Sequence, residues 1–190
     1  MFERLIQWDK EVLLYLNGLG SEKYDFFWLI ITKISTWIPL FLIFGLLLFI
    51  KFPRRIALSK FALVAVLAFL ITWLAKFVKI WSERLRPCND ESINAMMRIL
   101  KTPGDYSFFS GHASSSFSIT LLVFLFLREK VKWAPVFFVW PLLFSYSRLY
   151  LGVHFPLDVM AGAFAGVLLA LIFYLAFNRF TKPDSMSVHP

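Results

Sequence analysis

Three short groups of residues have side chains that suit a phosphate: Lys79 with Arg86-Pro87 close behind it, Ser110-Gly111-His112, and Ser147-Arg148 followed by His154 and Asp158. Lys79 and Arg86 offer two cations that can clamp different oxygens of one phosphate, the guanidinium through its planar fork. A lone Lys at a helix end also snorkels to the interface, and that reading stands for Lys79 taken by itself. In Ser110-Gly111-His112 the Ser suits a helix N-cap, the Gly lets an anion approach the backbone, and free N–H groups attract phosphate. The same tripeptide also fits an ordinary cap followed by an interfacial histidine. His154 and Asp158 stand four apart around Pro156, so the carboxylate can keep one ring nitrogen protonated and leave the other as a nucleophile. Asp158 also fits as a simple partner of the helix dipole.

Such groups need helices that begin or end where they stand. Five stretches are apolar and long enough to cross a bilayer, for which roughly 20 helical residues are needed. They are Thr36 to Ile50, extendable to Phe26 with a kink at Pro39; Ala57 to Ile80; Ala113 to Leu127; Val131 to Tyr146, which carries Pro135 and Pro141; and Leu157 to Phe177. Lys79 closes the second, Ser110-Gly111-His112 opens the third, Arg148 ends the fourth, and His154 and Asp158 bracket the start of the fifth. The expected fold is an all-α polytopic membrane helical bundle of about five to six transmembrane helices, forming a single domain over residues 1–190. Leu5, Ile6, Val12, Leu13 and Leu16 recur at near-helical spacing, interrupted by Asp9, Lys10 and Glu11. That pattern reads residues 1–34 as an N-terminal interfacial segment, with a sixth crossing as the alternative. Gly162 and Gly166 suit close helix packing within one chain first and dimerisation second, and the oligomeric state is left open. The tail from Thr181 reads as a frayed end, and His189 within it has no chemical setting.

With 59% hydrophobic and 19% aromatic residues and only 17% charged, the composition excludes an ordinary soluble domain. The net charge of +8 falls in short clusters between apolar spans, which argues against a nucleic-acid partner. Cytoplasmic loops retain Lys and Arg. Lys51, Arg54, Arg55 and Lys60, then Arg128, Lys130 and Lys132, then Arg179 and Lys182, therefore belong inside. Residues 81–112, an extracytoplasmic active-site loop, and 147–156 then lie outside. Lys79, Arg84, Arg86 and Arg148 stand on the side where few bases are expected, and an anionic ligand accounts for them. The N-terminus lacks a basic start and a cleavage site, so no cleaved signal peptide is expected. Cys88 is the only cysteine, which excludes an intramolecular disulfide and a cysteine metal cage.

The order and spacing of Lys79, Arg86 and Pro87, of Ser110, Gly111 and His112, and of Ser147, Arg148, His154 and Asp158 resemble the signature of the type 2 phosphatidic acid phosphatase superfamily, which also contains vanadium haloperoxidases. One departure is Phe109, where that signature usually has proline. The resemblance implies a metal-independent phosphatase, without cofactor, that works through a phosphohistidine. His154 would be the nucleophile oriented by Asp158, and His112 would protonate the leaving oxygen and later help activate water. Lys79, Arg86, Ser110, Arg148 and the Gly111 backbone would hold the phosphoryl oxygens.

The expected activity is removal of a terminal phosphate from a phosphorylated membrane lipid at the outer face of a bacterial inner membrane. The small body resembles bacterial undecaprenyl diphosphate phosphatases. Phosphatidylglycerophosphate and the 1-phosphate of lipid A are competing substrates, since the motifs read phosphate and not the lipid behind it. A non-catalytic lipid-phosphate binding or transport protein is the alternative of another class. Both histidines, and charges kept near span ends, favour the enzyme.

Overall fold

A computed structural model describes residues 2–181; Met1 and residues 182–190, and with them Lys182 and His189, lie outside the described residues. The described residues form seven α-helices: α1 (Phe2–Gly18), α2 (Glu22–Ile31), α3 (Ile38–Lys51), α4 (Arg54–Ser82), α5 (Gly111–Leu127), α6 (Val139–Tyr150) and α7 (Pro156–Thr181). No strand occurs among the described residues, in keeping with the all-α expectation. Leu42, Phe69 and Phe164 are 69%, 70% and 70% exposed on the outer surfaces of α3, α4 and α7, as a chain solvated by lipid requires.

Ile34–Lys51, Arg54–Asn89 and Pro156–Thr181 are long and apolar enough to cross a membrane by themselves. The other two expected spans are shorter. α5 has 17 residues, about 25 Å of helix at 1.5 Å per residue. The fourth stretch begins as a 3₁₀ turn, Ala134–Phe138, and becomes α-helical only at Val139, because Pro135 removes a backbone donor where a longer helix would start. The first span does not extend back to Phe26. Helix α2 stops at Ile31, Lys33 is extended, and a 3₁₀ turn leads into α3, so Pro39 occupies the first turn of a fresh helix instead of a kink.

The bundle centres on α5, which packs against α4, α6 and above all α7. Of its five hydroxyl residues from Ser114 to Thr120, the four serines donate to carbonyls three or four residues back, Ser115 and Ser118 at 2.8 and 3.0 Å, while the Thr120 hydroxyl has no partner among the described residues. The core joins Phe44 and Leu48 of α3, Leu67 of α4, Leu122 and Val123 of α5, and Trp140 and Phe144 of α6. At one end of the bundle, Lys60 lies 4.3, 3.9 and 5.0 Å from the ring centroids of Phe52, Phe126 and Phe177, with Lys130 against Phe52 as well. The described residues of the three basic clusters, from Lys51 to Lys60, from Arg128 to Lys132 and Arg179, therefore gather at that end, and the phosphate-suited groups gather at the other.

Gly162 and Gly166 set the α5–α7 distance. A Cβ on Gly162 would lie 2.5 Å from the Ser110 carbonyl oxygen, and one on Gly166 would lie 2.3 Å from that of Ser114. The Gly-x-x-x-Gly pair is thus used within the monomer, where small residues let backbones touch in the absence of a hydrophobic drive between helices. Gly166→Val should push the two helices apart and cost about 1–3 kcal/mol, read as a lower melting temperature in detergent. Gly45→Ala, whose new Cβ would meet only the Phe61 ring at 3.5 Å, should not lower it.

Candidate active site

Local backbone rules place each reactive side chain. The Ser110 hydroxyl accepts from the Ala113 N–H at 3.4 Å and caps α5, which leaves Gly111 and His112 in the first turn with their N–H groups free of the helix ladder. Helix α6 ends in a Schellman turn, with the Val153 N–H on the Arg148 carbonyl at 3.1 Å and the Gly152 N–H on that of Leu149 at 3.0 Å. Gly152 takes φ +71°, a region that only glycine enters without strain. That turn aims Arg148 and His154 at the same space. Helix α7 opens with Pro156, and the Asp158 carboxylate reaches back to the Phe155 N–H at 2.9 Å, as in a capping box. The Ser110 N–H donates to the Asp158 carbonyl at 3.0 Å, joining the starts of α5 and α7.

A cavity of about 550 Å³ opens at this end of the bundle, lined by Lys79, Arg86, Gly111, His112, Arg148 and His154 together with Lys76 and Asp105. Six of the eight site residues expected from the sequence thus face one space. Asp158 stands directly behind His154, fully buried, and Ser110 is fully buried as the cap of α5 and does not line the cavity. Arg86 donates to the Val153 carbonyl at 2.7 Å and to His154 Nε2 at 3.1 Å. A guanidinium has no acceptor, so Nε2 carries the lone pair. The proton therefore sits on Nδ1, which faces the Ser107 hydroxyl at 3.2 Å and the Asp158 carboxylate at 3.4 Å. His112 stacks on the Phe144 ring with centroids 4.5 Å apart. Arg148 donates to the Thr32 hydroxyl at 2.5 Å, while its buried Nε has no partner among the described residues.

Asp105 bridges the two cations of the first group, at 2.7 Å from Lys79 and 2.8 Å from Arg86. Burial pushes its carboxyl up, but the hydrogen bond from Lys79 and the charge of Arg86 outweigh this and hold it at about 2. His154 is shifted the other way from its ordinary value: burial first, then the charges of Arg86, Arg148 and Lys79, hold its imidazole well below the usual histidine range. It is neutral at neutral pH, with its lone pair on Arg86 inside a cationic pocket.

Sequence reasoning missed the partners around this core. Ser107 donates to the Asp158 carboxylate, and Arg84 binds the same carboxylate at 2.6 Å and Asp9 of α1 at 2.6 Å. Arg84 was legible only as a base on the unexpected side, and Asp9 only as a break in an apolar pattern. Asp105 and Ser107 carried no signal of their own.

Comparison with known proteins gives the same picture. The chain is 31% identical over 186 residues to a lipid A 4'-phosphatase of Bacteroides thetaiotaomicron, covering 95% of this chain and 82% of that one. It is 36% identical over 133 residues to an undecaprenyl-diphosphatase of Sulfolobus acidocaldarius, covering 68% of this chain and 58% of that one. The crystal structure of a transmembrane PAP2-type phosphatidylglycerolphosphate phosphatase from Bacillus subtilis shares the fold, with a TM-score of 0.75 over 95% of this chain and 89% of that one at 24% identity. Residues 57–182, which hold all three phosphate-suited groups, match the PAP2 superfamily, and the chain is an integral membrane member of that superfamily.

Proposed function

We propose that this membrane lipid phosphatase of the PAP2 superfamily removes a terminal phosphate through a phosphohistidine at His154, without a metal ion. The observation that carries the reading is the orientation of His154: its unprotonated Nε2, held by Arg86, faces a cavity lined by Lys79, Arg86 and Arg148, and its Nδ1–H faces Asp158. Lys79, Arg86, Arg148 and the Gly111 N–H hold the phosphoryl oxygens and stabilise the charge that builds on them, while Ser110 caps the helix that presents them. Nε2 forms a bond to phosphorus as the bond from phosphorus to the lipid oxygen breaks, and His112 gives that oxygen its proton. Water then attacks phosphorus with His112 as the base, the P–N bond breaks, and inorganic phosphate leaves with His154 restored. Arg86 donates to the Nε2 lone pair, so a phosphate that draws the guanidinium to itself also uncovers the nucleophile.

For the substrate we propose undecaprenyl diphosphate. A cavity of about 360 Å³ between α3, α4 and α5, lined by Phe41, Phe44, Leu48, Val64 and Ile119, shares Ile34, Thr72 and Ser115 with the phosphate cavity. One narrow apolar groove beside the phosphate site suits one polyprenyl chain. The 4'-phosphate of lipid A is the second reading, favoured by the near full-length similarity to a lipid A 4'-phosphatase. We place the site on the periplasmic or outer face of a bacterial inner membrane, because Lys51, Arg54, Arg128, Lys130 and Arg179 lie toward the opposite end and cytoplasmic ends retain such bases. Residues 1–190 act as a single domain in this reading, with 81–112 as the extracytoplasmic active-site segment and 1–34 as an N-terminal interfacial segment.

Phosphate release by purified protein in excess chelator, across undecaprenyl diphosphate, phosphatidylglycerophosphate and lipid A, tests the proposal. Undecaprenyl diphosphate should turn over fastest, and His154→Ala should lose about 10³-fold or more of the rate. Full activity in His154→Ala removes the nucleophile, and loss of wild-type activity in chelator removes the metal-free mechanism. A preference for lipid A with release of its 4'-phosphate selects the second reading.

Asp105 yields a prediction of opposite sign. Its carboxylate occupies the same two cations that a phosphate would use, so Asp105→Asn should tighten inhibition by vanadate and by inorganic phosphate about tenfold. A carboxyl held at about 2 in the folded protein, below the usual aspartate value of about 3.9, keeps its charge until pH falls toward 2. The tightening should therefore be the same from about pH 5 to about pH 8, measured as inhibition constants at each pH.

A further inference from the structure

Glu83 ends α4 in the left-handed region with φ +47°, and the irregular segment that follows carries Arg84 and Arg86 to the His154–Asp158 pair while Leu85 between them is exposed. The two guanidiniums grip opposite ends of one pair. Arg86 contacts His154 Nε2 at 3.1 Å, and Arg84 contacts Asp158 Oδ1 at 2.6 Å from behind. Arg84 also lies over the Phe155 ring, 4.2 Å from its centroid, and its second nitrogen binds Asp9 Oδ2 at 2.6 Å. Asp9 comes from α1 and is fully buried. Its other oxygen accepts the Leu157 N–H at 2.8 Å, one of the free donors at the start of α7. One fork therefore serves two buried carboxylates, and one of those carboxylates also anchors the helix that carries the other.

We propose that Arg84, braced by Asp9, is the positioning residue that holds Asp158 ionised and aimed at His154, so that α1, which precedes the matched family region, is a working part of the active site. Without a cation between them, two buried carboxylates this close repel. Burial and the nearby Asp158 charge push the Asp9 carboxyl up, and the Arg84 hydrogen bond and the Leu157 N–H oppose them. Asp158 has only neutral donors besides Arg84: the Ser107 hydroxyl, the Phe155 N–H and the ring N–H of His154. Arg84 is thus the cation that lets both acids stay charged, and its planar fork fixes their relative orientation in a way that a point charge does not. Arg84 does not line the phosphate cavity, so its loss should be felt in the chemical step and not in substrate capture.

The proposal rests on His154 as nucleophile, and the test separates the two. Full-length wild type, His154→Ala, Arg84→Gln, Arg84→Lys, Asp9→Asn and the Arg84→Gln/Asp9→Asn double variant are assayed for kcat and KM on the best lipid substrate, with melting temperatures in parallel. Arg84→Gln should lower kcat about 30-fold with KM within about twofold. Arg84→Lys should fall between it and wild type. The double variant should be several-fold more active than Arg84→Gln, because removing Asp9's charge relieves the repulsion that the lost cation had balanced. A merely structural brace gives the reverse order, since two packing losses add. Wild-type kcat in both Arg84 variants, a change confined to KM, or a double variant no better than Arg84→Gln overturns the proposal. If Arg84→Gln does not fold, Arg84→Lys alone decides, with a kcat three- to tenfold down at unchanged KM expected and an unchanged kcat fatal. An active His154→Ala instead overturns the nucleophile itself, whatever the Arg84 variants do.

Discussion

At Gly162 and Gly166 the backbone of α7 lies against carbonyl oxygens of α5 with no side chain between them, and the Ser110 amide closes the contact by donating to the Asp158 carbonyl at 3.0 Å. This approach puts two helix N-termini side by side. Both bring the positive end of a dipole and α5 adds the N–H groups of its first turn, so the space beside them favours an anion before any charged side chain is counted. It also fixes the separation of His112, in the first turn of α5, from His154, just ahead of α7. A bulkier helix contact would spread the two imidazoles and blur the in-line geometry that phosphoryl transfer needs. The glycines do not line the cavity, yet they set the distance between the helices that carry the two imidazoles.

Around this frame the charges are divided by partner. Asp105 satisfies Lys79 and Arg86, Arg84 serves Asp9 and Asp158, and Asp25 binds Arg98 through both oxygens at 2.8 Å. Arg148 differs, because it is 5% exposed and its only hydrogen-bond partner among the described residues is the neutral hydroxyl of Thr32. A buried donor left without an acceptor costs about 1–3 kcal/mol, more where the group is charged. A phosphoryl oxygen arriving beside it offsets that cost, so Arg148 contributes binding energy that no internal carboxylate has already taken up. Asp105 acts in the opposite sense, since a phosphate must displace it from two of the three cations.

Much of this site was legible because it is built from helix ends. Ser before Gly-His, Pro two residues before Asp158, and Lys near the close of an apolar run are signals that chain-local physics enforces, and each falls within a turn of its expected place. The sequence also separated the two ends of the bundle, because bases are costly in hydrocarbon and collect where helices emerge. It did not reveal that Asp9 is buried. Asp9, Leu13 and Asn17 form one buried face of α1, and a face that carries Asp and Asn beside a single Leu reads from the sequence as polar. Nor did it show Ser110 withdrawn behind the cavity wall, since a Ser at an N-cap and a Ser on a phosphate leave the same trace. The α2–α3 break was hidden for a different reason. Phe26 to Ile50 reads as nearly continuous apolar sequence, whereas in the fold α2 packs against α6 and the Thr36 and Trp37 side chains donate to the Ile30 and Ile31 carbonyls at the break.

The bonds that complete the site span most of the chain. Arg84 joins residues 75 and 74 positions away in sequence, Arg148 reaches Thr32 across 116, and Asn17 reaches the Tyr150 carbonyl across 133. None of these can form until the helices that carry both partners have docked, because each closes a loop far longer than the turns that start the helices. The local motifs can therefore be in place, with caps and turns formed, while His154 still lacks an oriented Asp158 and Arg148 still lacks Thr32. Segments 1–34 supply three of these long-range partners, Asp9, Asn17 and Thr32. The catalytic end of the bundle is accordingly finished by the part of the chain that lies before the family's shared region. Chemistry written into residues 79–158 becomes available only when α1 and α2 close over them.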